Sequence, residues 1–379
     1  SRSMTKISEI NLPDGIKTIG DYTFSSCANL TSISFPFSMK TIGVGAFGNS
    51  KITGALILPT GITTIKNQAF SGCTKLTSVT IPASVTTFGS GAFSQCTGLT
   101  TVNISCNIPS SCFYINYSSN VQFYNCTSLT TVNIGEGCKT IGYAAFRNQT
   151  WLTGCVDIPS TVTSIDSCAF EGCTGITSVI FRGSPTCNSY SFNNCTGITS
   201  VDFYGDVPNY CFNGWNSYNS SGIFMNCPLM SSVNIHDGCI NIGNSAFYQC
   251  TFIEGELILP NTVTTIGANA FNSCTEITSV VLGKNISSLG IASFGWCTGI
   301  TEVTFNGNVP SSALSTSYSN YSYPPFYGSD NITLVNIGAD CTEIRGCAFH
   351  GRNNIEFNIS EDAQISVFGN YCFQGCERS

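Results

Sequence analysis

Apolar residues recur along this chain in one pattern from end to end. Its clearest copies are Phe70-Ser-Gly-Cys73-Thr-Lys-Leu76-Thr-Ser-Val79-Thr-Ile81-Pro82 and Phe170-Glu-Gly-Cys173-Thr-Gly-Ile176-Thr-Ser-Val179. The anchor is Phe24, Phe47, Phe70, Phe93, Phe123, Phe146, Phe170, Phe192, Phe224, Phe247, Phe271, Phe294, Phe326, Phe349 and Phe373, most intervals being 22 to 24 residues. A unit this short cannot bury its own apolar face, so each copy reads as one coil of a solenoid stacked on its neighbours. Val79 and Ile81 alternate with Ser78 and Thr80, the period of a strand with one face buried. Pro82 offers no N–H and ends that strand. Stretches such as Phe88-Gly-Ser-Gly-Ala92-Phe93 turn the chain on glycine and return a Phe to the core. No segment sustains a 3.6-residue period, so little helix is expected. The strands are expected to form one parallel sheet, with Ser78, Thr80, Thr101, Asn103, Thr131 and Asn133 on its open face.

A longer period contains the short one. Phe146, Phe247 and Phe349 lie 101 and 102 residues apart, and Phe70, Phe170, Phe271 and Phe373 lie 100, 101 and 102 apart. Each block is four coils plus one insertion, and the insertions fall in the long gaps after Phe93, Phe192 and Phe294. All three are rich in Tyr, Ser and Asn. They carry Tyr114, Tyr117 and Tyr124; Tyr210, Trp215 and Tyr218; and Tyr318, Tyr321 and Tyr323. Insertions in a solenoid emerge on a fixed side, about 20 Å apart if four coils stack at strand spacing. Rigid amphipathic rings beside small hydrogen-bonding groups are the vocabulary of binding loops. These nine aromatic residues are therefore the candidate ligand-binding positions. The competing reading is that the rings fold back and cover an edge of the solenoid.

Composition narrows the function. Charged residues are 9% of the chain against 42% apolar, and the net charge is −7. No Lys/Arg cluster is present, which argues against nucleic acid and against docking on anionic lipid. No apolar stretch approaches the ~20 residues of a membrane span, so no direct membrane insertion is expected of this segment. The repeat pattern runs to both ends, which suggests a portion of a longer surface protein.

Eleven of the 22 cysteines occupy one register, three residues after the anchor: Cys27, Cys73, Cys96, Cys126, Cys173, Cys195, Cys227, Cys250, Cys274, Cys297 and Cys376. Side chains stacked in parallel do not face one another as a disulfide requires, so this ladder is expected to consist of buried free thiols. Cys106 and Cys112, beside the first insertion, are the one pair close enough in sequence to suggest a bridge. No C-x-x-C pair or Cys/His cluster offers a zinc site, and no cofactor is implied. His236 and His350 stand at variable positions and read as surface filler. Glu136 and Asp237 recur with the block at about 20 Å, too far apart for paired carboxylate catalysis. No catalytic residues are identified, and an enzyme is not expected.

The unit F-x-x-C-x-x-L-x-x-V-x-I-P-x-x-V-x-x-I-G-x-x-A-F resembles the BspA-like class of leucine-rich repeats over essentially the whole chain. The resemblance implies a right-handed superhelix of about fifteen coils, residues 1–379 forming a single leucine-rich-repeat domain. It also implies a secreted or cell-surface protein engaged in adhesion. The expected partner is a host or neighbouring-cell protein or glycan, met by a monomer. The alternative is a rigid stalk that presents another domain.

Overall fold

A computed structural model describes residues 7–114, 121–212, 222–316, 323–353 and 355–376. Among the described residues there is no helix; the chain alternates short strands with tight turns. It divides into two compact units, Ser1–Thr177 with Pro185–Ile198, and Ser178–Ser184 with Thr199–Ser379. Each is a parallel β-solenoid.

Most coils carry two strands, where one was expected; after Thr101–Ile104, Ser200–Phe203 and Glu302–Phe305 the second place holds only an isolated bridge, at Ile108, Val207 and Val309. The longer is the Ser-Val-x-Ile segment. In the first unit, Gly54–Ile57, Leu76–Ile81, Thr101–Ile104 and Thr131–Ile134 form one parallel sheet, with Val79 opposite Val102 and Val102 opposite Val132. In the second unit, Leu257, Val280, Val303, Val335 and Phe357 align across five strands. The shorter strand is the Thr-Ile pair before the turn, which had been read as part of the turn itself. Ile19, Ile42, Ile65 and Phe88 pair in sequence, as do Ile242, Ile266 and Leu289. The reason is backbone accounting. Every amide along a buried edge needs a partner, and the neighbouring coil offers one at strand spacing.

The core of each unit is a column of phenylalanine rings. Phe47, Phe70 and Phe93 stack at 5.1 Å, Phe146, Phe170 and Phe192 at 4.7–4.9 Å, and Phe247, Phe271 and Phe294 at 4.9–5.0 Å. All nine are 0% exposed. Phe24 and Phe373 are half-buried. The turn glycine is required by close approach: a Cβ on Gly89 would lie 2.4 Å from the backbone of Lys66 and Asn67 in the preceding coil.

The insertions do more than add loops. Phe113 stacks between Phe123 (4.5 Å) and Phe146 (4.7 Å), and Phe212 between Phe224 (5.0 Å) and Phe247 (5.3 Å). Leu314 takes the same place in the last block: its N–H donates to the Ala348 carbonyl as that of Phe113 does to Ala145 and that of Phe212 to Ala246. Each insertion therefore adds a layer to the ring column without adding a coil.

All 22 cysteines are free thiols, Cys106 and Cys112 included. The ladder thiols are more than small apolar fillers. Cys73, Cys96, Cys126 and Cys173 each donate S–H to the carbonyl of the preceding coil's anchor, Phe47, Phe70, Phe93 and Phe146, at 2.9–3.2 Å. Cys195, Cys274, Cys297 and Cys376 do the same to Phe170, Phe247, Phe271 and Phe349. Where the register lacks Cys, Ser329 donates to Phe294 at 2.7 Å. At these nine positions a small donor serves the preceding anchor. Burial pushes the thiols up, Cys73 to about 11 and Cys173 to about 12.

Three outcomes test this core. Phe170→Ala is expected to cost about 3–5 kcal/mol in denaturant unfolding. Cys173→Ala is expected to cost about 1–2 kcal/mol, and Cys173→Ser less, because Ser keeps the donor. Thiol reagents at pH 8 should modify exposed Cys155 first and leave Cys73 and Cys173 unmodified until the chain is denatured, as read by mass spectrometry.

Candidate binding sites at the insertion bases

Of the aromatic positions singled out in the insertions, Tyr117, Trp215, Tyr218, Tyr318 and Tyr321 lie outside the described residues. Tyr114, Tyr124, Tyr210 and Tyr323 are described, and each sits where its insertion joins the ring column.

At the first insertion Tyr114 and Tyr124 are half-buried. The Arg147 guanidinium lies over the Tyr114 ring at 5.6 Å, and Arg147 Nε meets Glu171 Oε2 at 2.7 Å. This base is a braced edge, with its rings held by the next coils. At the second, Tyr210 is 36% exposed at φ +54°. The extra Phe212 layer borders a crevice of about 430 Å³, lined also by Phe224, Met225, Cys227, Met230 and Phe252.

The third base holds the most site-like arrangement. Tyr323 meets Trp296 edge-on at 5.6 Å and Tyr327 at 4.7 Å, and Trp296 meets Tyr327 edge-on at 5.4 Å. Trp296 is 41% exposed. It borders a hollow of about 320 Å³ whose other walls are Ser315, Thr316, Tyr327, Asp330 and Arg352. Arg352 occupies the register that is Cys elsewhere. Its guanidinium donates to the carbonyls of Leu314 (2.6 Å), Phe326 (2.9 Å) and Ser329 (3.2 Å). Asp330 Oδ1 lies 3.4 Å away. Burial lowers the Arg352 pKa, and Asp330 opposes that shift.

Trp296 escaped the sequence reading because it stands in an ordinary coil, two residues after the anchor Phe294. The local signal was a bulky residue at a position that holds Gly, Asn, Ser or Gln in the other coils. That position is left-handed in every coil, at φ +72° for Gly72 and φ +53° for Trp296. A bulky residue there costs about 1–2 kcal/mol, and observed strain of this kind points toward function. Tyr210 sits two residues before Phe212, at a different left-handed position.

A second cluster also went unread. His236, expected to be surface filler, lies flat on Tyr204 at 4.1 Å, and its Nε2 meets Asp202 Oδ1 at 2.8 Å. The Arg182 guanidinium lies over the same Tyr204 ring at 5.0 Å. His350 is half-buried, and Glu136 and Asp237 are exposed in the turns after their strands. Among the described residues no group of three or more His, Cys, Asp or Glu is placed to hold a metal ion, and no helix is long and apolar enough to cross a membrane.

A family model described as the BspA type leucine rich repeat region (6 copies) matches residues 2–120, 105–219, 218–322 and 314–379. Solved structures similar to this chain include a leucine-rich repeat protein from Bacteroides ovatus, 28% identical, covering 79% of this chain and 73% of that one, with a TM-score of 0.42. A leucine rich cell surface protein from Faecalibacterium prausnitzii is 19% identical over 96% of this chain and 88% of its own, with a TM-score of 0.35. The pneumococcal vaccine antigen PcpA is 15% identical over 96% and 79%, with a TM-score of 0.32. No curated protein matches.

Substitution separates brace from surface at the third base. Arg352→Ala is expected to cost about 3 kcal/mol, since three carbonyls lose a charged donor. Trp296→Ala should leave unfolding free energy within about 0.5–1 kcal/mol, as for other surface changes. Denaturant titration of the two variants reads both.

Proposed function

We propose, from the fact that this chain belongs to the BspA-type leucine-rich repeat family, that it is a non-enzymatic recognition module of a secreted or cell-surface protein. It binds a macromolecule, a protein or a glycan of a host or neighbouring cell, as a monomer. The observation that carries this reading is the Trp296, Tyr323 and Tyr327 cluster at the mouth of a 320 Å³ hollow. Flat rings offer a contact surface at little conformational cost. The carboxylate of Asp330, largely exposed at the same mouth, supplies a directional acceptor. A stalk gains nothing from exposing a tryptophan at a surface position that holds small or polar residues in the other coils. A binder does, because aromatic anchors beside a pocket carry most of an interface's energy.

The test is a screen of the intact chain against a glycan array and a panel of matrix proteins. At least one ligand class is expected to bind. Trp296→Ala with Tyr327→Ala should then weaken that ligand by about 30-fold or more, the loss expected of a hot spot. Failure to bind on every surface would favour the stalk. Binding indifferent to the double substitution would move the contact surface away from this cluster.

A further inference from the structure

In the second unit the ladder of long strands is interrupted once, after Ser232–Ile235. Elsewhere in the second unit, anchors of successive coils touch directly, Phe247 on Phe271 at 4.9 Å and Phe271 on Phe294 at 5.0 Å. Phe212 sits between Phe224 and Phe247, so these two coils stand two ring layers apart. Their long strands, Ser232–Ile235 and Gly255–Ile258, belong to different sheets. A strand laid between two walls pairs with each at about 4.8 Å.

Both walls present free edges to that gap. In a parallel strand, alternate residues direct N–H and C=O to the same side. Ser232 and His236 donate backward to Thr199 and Phe203, which turns the amides and carbonyls of Val233 and Ile235 toward the gap. On the far wall Gly255 and Leu259 donate forward to Glu276 and Val281, which turns those of Glu256 and Ile258 toward it. The floor is uncovered core. Val201, Val280 and Val303 are 0% exposed, whereas Val233, Ile235 and Leu257 at the same inward positions are only half-buried. The groove measures about 430 Å³, and Phe252 closes its inner side. Glu254 and Glu256 stand exposed on its outer rim, and the neighbouring His236 is already tied to Asp202.

We propose that this gap is a slot for one extended polypeptide strand of a binding partner. The strand completes the sheet on both sides, sends alternate Val or Ile side chains onto Val233, Ile235 and Leu257, and sets Lys or Arg outward against Glu254 and Glu256. Strand addition draws affinity from main-chain hydrogen bonds and specificity from alternate side chains. Here both edges are available at once. The first unit holds a narrower version: Phe113 is the extra ring, Thr131–Ile134 and Gly154–Ile158 lie in different sheets, and Val132 and Ile134 are again half-buried.

The experiment uses the full chain and a short fluorescent peptide of alternating Lys and Val, followed by fluorescence anisotropy. Saturable binding is expected. N-methylation of alternate peptide amides should weaken it by about tenfold or more, as should Glu256→Lys or Val233→Glu. The melting temperature of each variant is measured alongside, so that a fold lost to Val233→Glu is recognised and the peptide arm still decides. Trp296→Ala should leave peptide binding unchanged, which separates this slot from the aromatic cluster. No binding, or binding unaffected by N-methylation or by Glu256→Lys, overturns the proposal.

Discussion

Ring stacking in the core and backbone pairing in the wall share one length. Parallel strands pair at about 4.8 Å, and the anchor rings of regular coils stack at 4.7–5.1 Å. A coil that satisfies one repeat distance therefore satisfies the other. Each Phe buries a large apolar face against the rings on either side while the coil's amides pair outward with the same neighbours. The close-approach glycine follows from this spacing, since at Gly89 no side chain fits between backbones so near. So does the small donor three residues after most anchors. An anchor carbonyl held under the next coil needs a small side-chain donor, and Cys or Ser supplies it with little added volume.

The wall does not follow the ring column everywhere. The ladder of long strands breaks ahead of Gly54–Ile57, Gly154–Ile158 and Gly255–Ile258; an added ring accompanies the last two breaks, and none the first, where Phe24 and Phe47 stack directly. Beside Phe113 and Phe212 the inward-facing Val132 and Val233 are only half-buried. The last block keeps its ladder beside its extra layer. Its chain runs eight residues from Phe349 to Phe357, against ten from Phe247 to Leu257. The strands Leu334–Ile337 and Glu356–Ile359 stay paired and Val335 remains 0% exposed. Arg352 fills the space beside the extra layer, bonded to three carbonyls. A buried guanidinium takes the role that a thiol plays elsewhere because there is more room and more unpaired backbone to satisfy.

Candidate function gathers at these irregularities. The regular coils present Ser, Thr and Asn to solvent, with scattered apolar residues and few charges. Where an insertion enters, aromatic rings meet at crevices of a few hundred cubic ångströms, as with Phe252 against Phe212 and with Trp296 against Tyr323 and Tyr327. A strictly periodic surface offers the same weak contact many times; a break in period offers a shaped one. The recurrence of breaks every hundred residues makes such sites repeat within the chain.

The sequence by itself determined the coil, its period and its core. Phe, the strand apolar pair and the turn glycine recur at fixed offsets, and one-dimensional stacking converts those offsets directly into contacts. It also determined that the ladder thiols stay unpaired, because their parallel setting follows from the same register. The second strand of most coils was hidden, since two residues are too short for any period to declare itself. Phe113, Phe212 and Leu314 lay inside segments that looked like loops, and only stacking in space places them in the ring column. Trp296 and Arg352 stood in ordinary repeat positions. Their partners, Tyr323 for one and the carbonyls of Leu314 and Phe326 for the other, come from coils about thirty to forty residues away, a separation set by the solenoid's stacking. His236 became part of a stack with Tyr204 and Arg182 for the same reason. The tertiary structure decided these because register between coils, and not order along the chain, determines which variable positions become neighbours.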